Sequence, residues 1–395
     1  HPWAILAAGA AIQVLTGLPA AWGVFQQPVM DEYGLSEQGA GYAFGLLIAA
    51  FGVGCVIGGF LQDRKGPRCA ALWGTALLCG GFFAAALLPG EKGGFFFGAF
   101  SIPAGLGTAF LYPSIQSCAQ KWYKGRKGLA TGVIGGAVGL SGAFLTVFVR
   151  TALKGFGPVQ GIRGAFWALG ALTLPVCLAG SAVLSDPPQK KQQPSGKNTL
   201  DLSPGQMLRT KRFWLLFGSA VIGTGFGSGL IAHASYIFVE GGASESVAAL
   251  AVGLVSVMNG LGRIVFGMLN DRCGFRISLL ADAVLYIAAG LIAALVLGSS
   301  AVVLVVVMML IGACYGAVPT ISASLAEEFF GPAHYGRNLG IVNLSILFGS
   351  FASTAAGAIQ TGTGSYAQAF YLFVGLEVLA LVLILLLGKT KNIEY

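Results

Sequence analysis

The chain contains 395 residues, of which 55% are hydrophobic and only 10% are charged, against roughly 25% charged residues in an ordinary soluble domain. The mean hydropathy is +0.78, and the 61 glycines do not follow the three-residue period of collagen. These values exclude a soluble globule, a disordered tail and a fibre. They predict an all-α membrane protein that crosses the bilayer several times.

Apolar stretches long enough to cross a bilayer as helices occur about twelve times along the chain. Backbone N–H and C=O groups in hydrocarbon need partners within the segment itself, so apolar stretches of about 20 residues are predicted to be helices. The predicted spans are 3–29, 41–62, 69–89, 95–120, 129–149, 165–184, 213–238, 247–270, 277–298, 301–326, 338–360 and 366–387.

The net charge of +8 arises from basic residues that concentrate on one side of the predicted helices. Eighteen of the 23 lysines and arginines follow even-numbered spans or lie in the C-terminal tail, four lie on the opposite side, and Arg263 lies inside a span. Because short basic loops stay in the cytoplasm, this distribution predicts cytoplasmic termini in a cell (cytoplasmic or inner) membrane. The charge is explained by topology and does not indicate nucleic-acid binding.

The longest polar stretch runs from Ser185 to Lys211 and has the composition of a flexible linker. Within it, Ser203-Pro204 is typical of an N-cap followed by the first residue of a helix, which predicts a short cytoplasmic helix. The stretch divides the chain into an N-terminal six-helix bundle at 1–184, a cytoplasmic linker at 185–212 and a C-terminal six-helix bundle at 213–395.

Two segments of ten residues share one pattern, the first after span 2 and the second after span 8. Gly59 to Arg68 reads GFLQDRKGPR and Gly267 to Arg276 reads GMLNDRCGFR, so G-x-x-x-D-R-x-G-x-R recurs at an offset of 208 residues. Glycine allows a tight reversal between helices, while Asp and Arg at the membrane–water boundary can pair across helices or cap a neighbouring helix N-terminus. A repeat of six spans predicts a transporter whose site lies between the halves.

This repeated motif closely resembles the signature of the major facilitator superfamily. The resemblance implies the fold of that superfamily, which is twelve transmembrane helices in two pseudo-symmetric six-helix bundles. It also implies that Asp63, Arg68, Asp271 and Arg276 form a latch that holds the cytoplasmic side in one conformation.

Three ionisable residues, Arg263, Asp282 and Glu377, lie within predicted spans, where a central charge costs about 2.5–3.5 kcal/mol on insertion scales. Arg263 precedes Asp271 by about 12 Å of helix. Asn259 lies one turn earlier on the same face, and a guanidinium fork next to an amide can bind a carboxylate through two parallel hydrogen bonds. The alternatives are an arginine paired with another buried group and an arginine that extends to the interface.

Other polar residues in the spans are weaker candidates. Asp282 and Glu377 are candidates for proton binding, although a structural hydrogen bond is the commoner role of such acids. His233 in span 7 is a candidate for the pocket or for proton transfer, with a packed, hydrogen-bonded histidine as the alternative. Tyr112 in span 4 and Tyr315 in span 10 can donate to a carboxylate while their rings form an apolar wall, although aromatic residues are more often core.

Signatures of enzymes, metal sites and cofactors are missing from the sequence. Gly388-Lys389-Thr390 lacks the leading glycine of a phosphate loop, because position 383 is Leu383. No G-x-S-x-G elbow or His/Glu metal pair is found, and the seven cysteines form no C-x-x-C pair. The sequence therefore predicts no catalytic residue, no metal and no cofactor.

Further segments resemble the oxalate/formate antiporter family, a branch close to the monocarboxylate porters. The resemblance implies that Asn259 and Arg263 bind the substrate carboxylate, that Tyr112 faces the pocket, and that His233 is the family's polar residue in span 7. The segments that carry it are Gly17 to Phe25 with Gln27-Pro28, Lys121 to Tyr123 with Arg126 to Gly132, Leu202 to Pro204 through Phe213 to Leu216, and Asn259 to Arg263.

One position departs from the family pattern. The family's oxalate/formate antiporter carries a second cation, a lysine, in span 11, and the corresponding residue here is Ile346. A doubly charged oxalate would therefore meet one central cation instead of two.

This departure favours a secondary active transporter of a monocarboxylate such as lactate, pyruvate or formate, and we expect the transporter to be a monomer. Alternating access would be driven by proton coupling or by exchange, and the sequence leaves both modes open. The alternatives are an oxalate/formate-type dicarboxylate antiporter and a transporter of another small solute.

Overall fold

A computed structural model describes residues 2–90, 93–123, 125–187 and 201–390, apart from the side chains of residues 20, 37 and 158–160. These residues form helices joined by short connections and contain no strand. Residues 188–200 of the predicted linker lie outside the described residues. After them, Ser203 caps a short helix with Pro204 in its first turn, and the Ser203 N–H donates to the Gln206 side chain at 2.9 Å. The predicted helix start is confirmed.

The helices follow one another in chain order with few residues between them. Those of the first half are α1 (Pro2–Val14), α2 (Leu18–Tyr33), α3 (Glu37–Lys65), α4 (Pro67–Leu87), α5 (Gly93–Trp122, with a π-helical segment at Phe97–Ser101), α6 (Lys127–Gly157) and α7 (Gly161–Val183). Those of the second half are α8 (Pro204–Met207), α9 (Lys211–Ile231), α10 (Ala234–Glu240), α11 (Glu245–Val296), α12 (Ala301–Phe330), α13 (Tyr335–Val342), α14 (Leu344–Thr363) and α15 (Ala367–Lys389).

Within the described ranges, ten helical stretches are long and apolar enough to cross a membrane, against the twelve predicted spans. Spans 8 and 9 count as one because both lie in α11, whose two parts meet at a non-helical residue, Gly274. Span 1 is not counted because it is broken into α1 and α2, both shorter than 18 residues. At the break the Thr16 hydroxyl donates to the Gln13 side chain at 2.6 Å.

Gly66 and Gly274 occupy equivalent places in the two copies of the repeated motif and adopt nearly identical backbone angles. Gly66 has φ 84° and ψ 167°, and Gly274 has φ 80° and ψ 166°. This region is accessible almost only to glycine. The chain therefore reverses direction in the same way at both places, which is why the D-R-x-G spacing repeats.

The helices pack into two compact units. The first contains His1–Lys124, Ala137–Asp201 and Pro332–Ile341, and the second contains Gly125–Gly136, Leu202–Gly331 and Val342–Tyr395. A short segment from each half of the sequence therefore belongs to the unit formed mainly by the other half. The bundle boundaries at 184 and 213 stay a prediction.

Each unit has its own aromatic core. In the first unit Phe166 of α7 packs against Phe100 at 5.0 Å and stacks on Phe25 at 5.8 Å between ring centroids. In the second unit Phe226 of α9 lies 4.5 Å from the ring of Tyr286 on α11. Large apolar side chains on other helix faces are exposed, as expected for faces that contact lipid; examples are Leu250, Leu295 and Val302.

The reversal at Gly274 gives a direct test of the fold. We expect Gly274→Ala to destabilise the protein by about 1–3 kcal/mol because alanine is strained at this backbone conformation. No atom lies within 4 Å of the position that its Cβ would take, so steric contact does not contribute. The measurement is the thermal unfolding midpoint of the purified protein in detergent.

The matched control is Gly253→Ala, in the helical part of α11, where the added Cβ also meets open space. This substitution should leave the midpoint unchanged or raise it, because alanine favours helix by about 1 kcal/mol over glycine. Equal shifts for the two variants would contradict the proposed role of Gly274.

Candidate functional site

The carboxylate of Asp271, in the second copy of the motif, caps the start of α6. Its Oδ1 accepts a hydrogen bond from the Gly128 N–H at 2.7 Å, and its Oδ2 accepts one from the Leu129 N–H at 2.8 Å. The first N–H groups of a helix have no partner within the helix and carry a partial positive charge. Asp271 therefore joins α11 to a helix that comes from the first half of the sequence.

The carboxylate of Asp63, in the first copy of the motif, makes the equivalent contact with α13. Its Oδ1 accepts from the Gly336 N–H at 3.0 Å and its Oδ2 from the Arg337 N–H at 3.1 Å. The Arg337 side chain adds an ion pair, with Nε 3.3 Å from Oδ2, and its guanidinium lies 4.7 Å from the centroid of the Phe60 ring. The two motif aspartates thus perform the same structural task with opposite halves of the chain.

Glycines bring the joined helices into contact at both places. A Cβ on Gly128 would overlap the carbonyl oxygen of Gly267, and a Cβ on Gly59 would overlap that of Gly336. Small residues permit such close approach between membrane helices. Gly128 and the first glycine of each motif, Gly59 and Gly267, are therefore packing residues.

The two motif arginines lie elsewhere. Arg68 donates to the carbonyl oxygens of Ala182 at 2.6 Å and Leu184 at 3.3 Å, at the C-terminal end of α7. Arg276 lies near Gly388 at the end of α15 and 5.9 Å from the Phe275 ring centroid. Cations stabilise the negative end of a helix dipole. Arg68 therefore binds the end of α7, and Arg276 lies beside the end of α15.

Arg263 is the buried cation of α11, with 7% of its surface exposed. Its Nε donates to Oδ1 of Asn259 at 3.2 Å, one turn earlier on the same helix. Glycines surround the side chain: a Cβ on Gly135 of α6 would lie 3.0 Å from Nη1, and a Cβ on Gly316 of α12 would lie 2.9 Å from Cγ. The Thr320 hydroxyl lies 3.6 Å from the same point at Gly135.

This arrangement suits an anion. The guanidinium is always charged and presents its N–H groups in a planar fork that matches a carboxylate. The Asn259 amide can add a hydrogen bond, and exclusion of water strengthens each of these interactions. The Thr320 hydroxyl already donates to the Gly316 carbonyl at 3.0 Å. Arg263 and Asn259 were predicted from the sequence, whereas the proximity of Gly135, Gly316 and Thr320 to Arg263 was not, because small residues are informative only once their partners are known.

The two tyrosine candidates lie in different units. Tyr112 belongs to the first unit, is buried, and packs against Phe51 with 6.0 Å between ring centroids. Tyr315 belongs to the second unit, and its ring fills the space beside Gly227 of α9. The structure therefore places Tyr315, one residue before Gly316, on the same helix segment that borders Arg263.

His233 occupies a break between α9 and α10, where one continuous span was predicted. Its Nε2 lies 2.9 Å from the Ser353 carbonyl oxygen, and its Nδ1 lies 3.1 Å from the Tyr366 hydroxyl. A carbonyl only accepts, so in the neutral ring Nε2 donates and Nδ1 accepts. The Tyr366 hydroxyl is then the donor to Nδ1. Both ring nitrogens are thus engaged in a structural network.

Asp282 and Glu377 meet in a second buried polar cluster. Both side chains are at least 97% buried, on α11 and α15, and both line a small cavity. Ser219 of α9 and Ser322 of α12 line the same cavity. Sequence reasoning treated the two acids separately, because nothing in the sequence shows that spans 9 and 12 bring them together. Among the described residues, no group of three or more His, Cys, Asp and Glu is arranged to hold a metal ion.

Comparison with known proteins identifies similar chains. The model of the Major Facilitator Superfamily matches residues 7–241 and 215–394. The oxalate:formate antiporter of Oxalobacter formigenes is 25% identical over 333 residues, which is 83% of this chain and 77% of that protein. Monocarboxylate transporter 9 of Mus musculus is 29% identical over 185 residues, which is 45% of this chain and 34% of that protein.

A solved structure shows the same fold over the whole chain. The Major Facilitator Superfamily transporter FucP in the outward conformation aligns with a TM-score of 0.73 and covers 98% of this chain and 99% of its own. Its sequence identity is 16%, so this likeness concerns the fold alone.

Hydrogen exchange can measure the effect of each aspartate cap on its own helix. We expect Asp271→Asn to increase amide exchange in the segment that begins at Lys127. Aspartate uses one oxygen for each of the two N–H groups, whereas asparagine has a single acceptor oxygen, so one N–H group loses its partner. An unsatisfied N–H costs about 1–3 kcal/mol. The measurement is exchange followed by mass spectrometry of peptides from the start of α6 and the start of α13.

Each variant is the control for the other. Asp63→Asn should increase exchange at the start of α13 and leave the start of α6 protected. If either substitution loosened both segments equally, or neither, the caps would not be local and the assignment would be wrong.

Proposed function

The chain belongs to the Major Facilitator Superfamily of secondary transporters, and we propose that within it the protein carries small organic anions, with a monocarboxylate such as lactate, pyruvate or formate as the substrate. The observation that carries this proposal is Arg263, a cation buried on a membrane helix beside Asn259 and against glycine faces of α6 and α12. The predicted superfamily and fold are confirmed. The identity of the substrate is our proposal.

The electrostatics of Arg263 connect substrate binding to transport. A charge at the centre of a membrane helix costs about 2.5–3.5 kcal/mol on insertion scales. A bound carboxylate neutralises this charge and lowers the free energy of closing apolar walls around it. A substrate shifts a conformational equilibrium only by its difference in affinity for the two states, and charge neutralisation supplies such a difference.

The relatives support the same substrate class. One relative is an oxalate:formate antiporter and another is a monocarboxylate transporter, and both names describe carriers of small carboxylates. Ile346, where the resemblance places a lysine, leaves the span without that second cation. One cation matches a singly charged anion better than it matches oxalate.

Alternating access in this proposal uses the aspartate caps as latches. Asp63 holds the start of α13 and Asp271 holds the start of α6 through hydrogen bonds that can break and re-form. We place both termini in the cytoplasm, on the same side as these latches, and the transporter as a monomer in the cell membrane. Coupling to protons or exchange of anions would drive the net flux.

The substrate assignment is tested by removing the cation. We expect Arg263→Gln to reduce uptake of labelled lactate into proteoliposomes by at least about tenfold, since a charge-assisted hydrogen bond contributes about 1.5–3 kcal/mol. Arg263→Lys should be intermediate, because lysine keeps the charge and loses the fork. Uptake is measured with and without an inward proton gradient, with unlabelled formate and oxalate as competitors.

Arg150→Gln is the matched control, because this arginine lies at an exposed position outside the Arg263 cluster. It should transport like the unchanged protein. Unchanged lactate uptake in Arg263→Gln would contradict the proposal. If the unchanged protein instead exchanged anions only in oxalate-loaded vesicles, it would be a dicarboxylate antiporter.

The isoleucine at position 346 gives a second prediction. We expect Ile346→Lys to increase the affinity for oxalate relative to lactate, because the added charge gives the second carboxylate a partner worth about 1.5–3 kcal/mol. The measurement is the ratio of the inhibition constants of oxalate and lactate in the uptake assay. Ile346→Met, which has a similar length and no charge, should leave this ratio unchanged, and a change of equal size in both variants would show that charge is irrelevant.

A further inference from the structure

The cavity between α9, α11, α12 and α15 contains three buried polar atoms that lack a hydrogen-bond partner among the described residues. They are Oδ1 of Asp282, Oε2 of Glu377 and Oγ of Ser322. All three residues line the same cavity and are at least 97% buried. Buried polar atoms in proteins are nearly always paired, so three unpaired ones facing one space point to something that binds there.

The charge of the lining identifies the ligand as a cation. Two carboxylates meet in the cavity, and no lysine, arginine or histidine is among its lining residues. The titratable groups around Asp282 are Glu377 on α15, Cys314 on α12 and Tyr286 on its own helix. The residues of α9 that line the cavity are Ser219, Ala220 and Gly223. None of these groups is a permanent cation.

The size of the cavity and its donors select a proton over a metal ion. Calcium and magnesium need six or more oxygen ligands, with waters completing the shell, and this cavity has room for no more than about one water molecule. One of its polar groups already has a partner, because the Ser219 hydroxyl donates to the Leu216 carbonyl at 2.9 Å. A proton needs only one acceptor on each side.

We propose that Asp282 and Glu377 form a proton-binding pair, with Ser322 as an additional hydrogen-bond partner, and that this pair couples proton movement to transport. One proton shared between the carboxylates removes one of their two charges. The second charge is then stabilised by the shared hydrogen bond and by the Cys314 thiol. The pair is separate from the Arg263 site and lies wholly within the second unit.

A single helix segment connects the pair to the anion site. Cys314 of α12 contacts Asp282, and Gly316, two residues later, packs against Asn259 and the side chain of Arg263. Pro319 lies in the same helix and has no N–H to complete the helical hydrogen-bond ladder. This segment can therefore shift more easily than a regular helix, and a shift at one end displaces atoms at both sites.

The first test does not depend on the substrate. Infrared difference spectra of the purified protein in lipid are recorded over a pH titration, and the carbonyl stretch of protonated carboxylic acids is followed. We expect a titrating band that disappears in the double variant Asp282→Asn, Glu377→Gln and persists in the control Glu245→Gln, which changes an exposed acid at the start of α11. A band that survives in the double variant would overturn the proton pair.

The second test concerns coupling and rests on the proposed function. At one proton per anion, an inward gradient of about one pH unit supports about tenfold accumulation of lactate. The double variant should lose this accumulation relative to its own rate of lactate exchange, while Glu245→Gln keeps it. Accumulation that persists in the double variant, or that follows a sodium gradient instead, would overturn the coupling role.

The two tests separate the two proposals. If the unchanged protein carries none of the three carboxylates, the proposed function fails while the infrared titration still decides whether the pair binds a proton. Conversely, if Arg263→Gln abolishes transport and the double variant retains the infrared band, the substrate assignment stands and the proton pair is wrong.

Discussion

The hydrocarbon of a membrane offers no hydrogen-bond partners, so the protein itself must supply partners for its backbone N–H and C=O groups. The rest of the structure depends on how it does so. Within helices the backbone satisfies itself, but the first N–H groups of each helix need an external acceptor. Asp63 and Asp271 supply that acceptor to α13 and α6. These bonds join the short segment of each half of the sequence to the compact unit formed mainly by the other half.

The repeated motif shows which features of such a structure are readable from a sequence. Aspartate and glycine at fixed spacing predicted a helix reversal and a cap, and Gly66 and Gly274 adopt the same glycine-specific conformation. Local chemistry determines these features, so local sequence suffices. The arginines of the motif differ, because Arg68 binds and Arg276 lies beside the end of a helix far away in the sequence. Their positions depend on packing that the motif itself does not specify.

The breaks in the spans were not predictable for the same reason. Continuous apolar sequence predicted an unbroken span 7, yet His233 stands at a break where its ring nitrogens meet the Ser353 carbonyl and the Tyr366 hydroxyl. Both partners lie over a hundred residues later in the chain. A polar residue in an apolar segment indicates that a partner exists, and only the fold identifies that partner. For Arg263 one partner, Asn259, was one helical turn away and could be predicted.

Among the described residues, the second unit buries one cation, Arg263, and two acids, Asp282 and Glu377, at separate sites, and this has a mechanical consequence. Direct pairing of Arg263 with Asp282 or Glu377 would leave little net charge for an anion or a proton to neutralise. Instead Gly316 packs on Arg263 while Cys314, on the same proline-containing helix, contacts Asp282. Each site can then be neutralised by its own ligand, and the free energy of closing around one site comes to depend on the other through the helix between them. Coupling in this arrangement arises from a shared structural element, so it requires no contact between anion and proton.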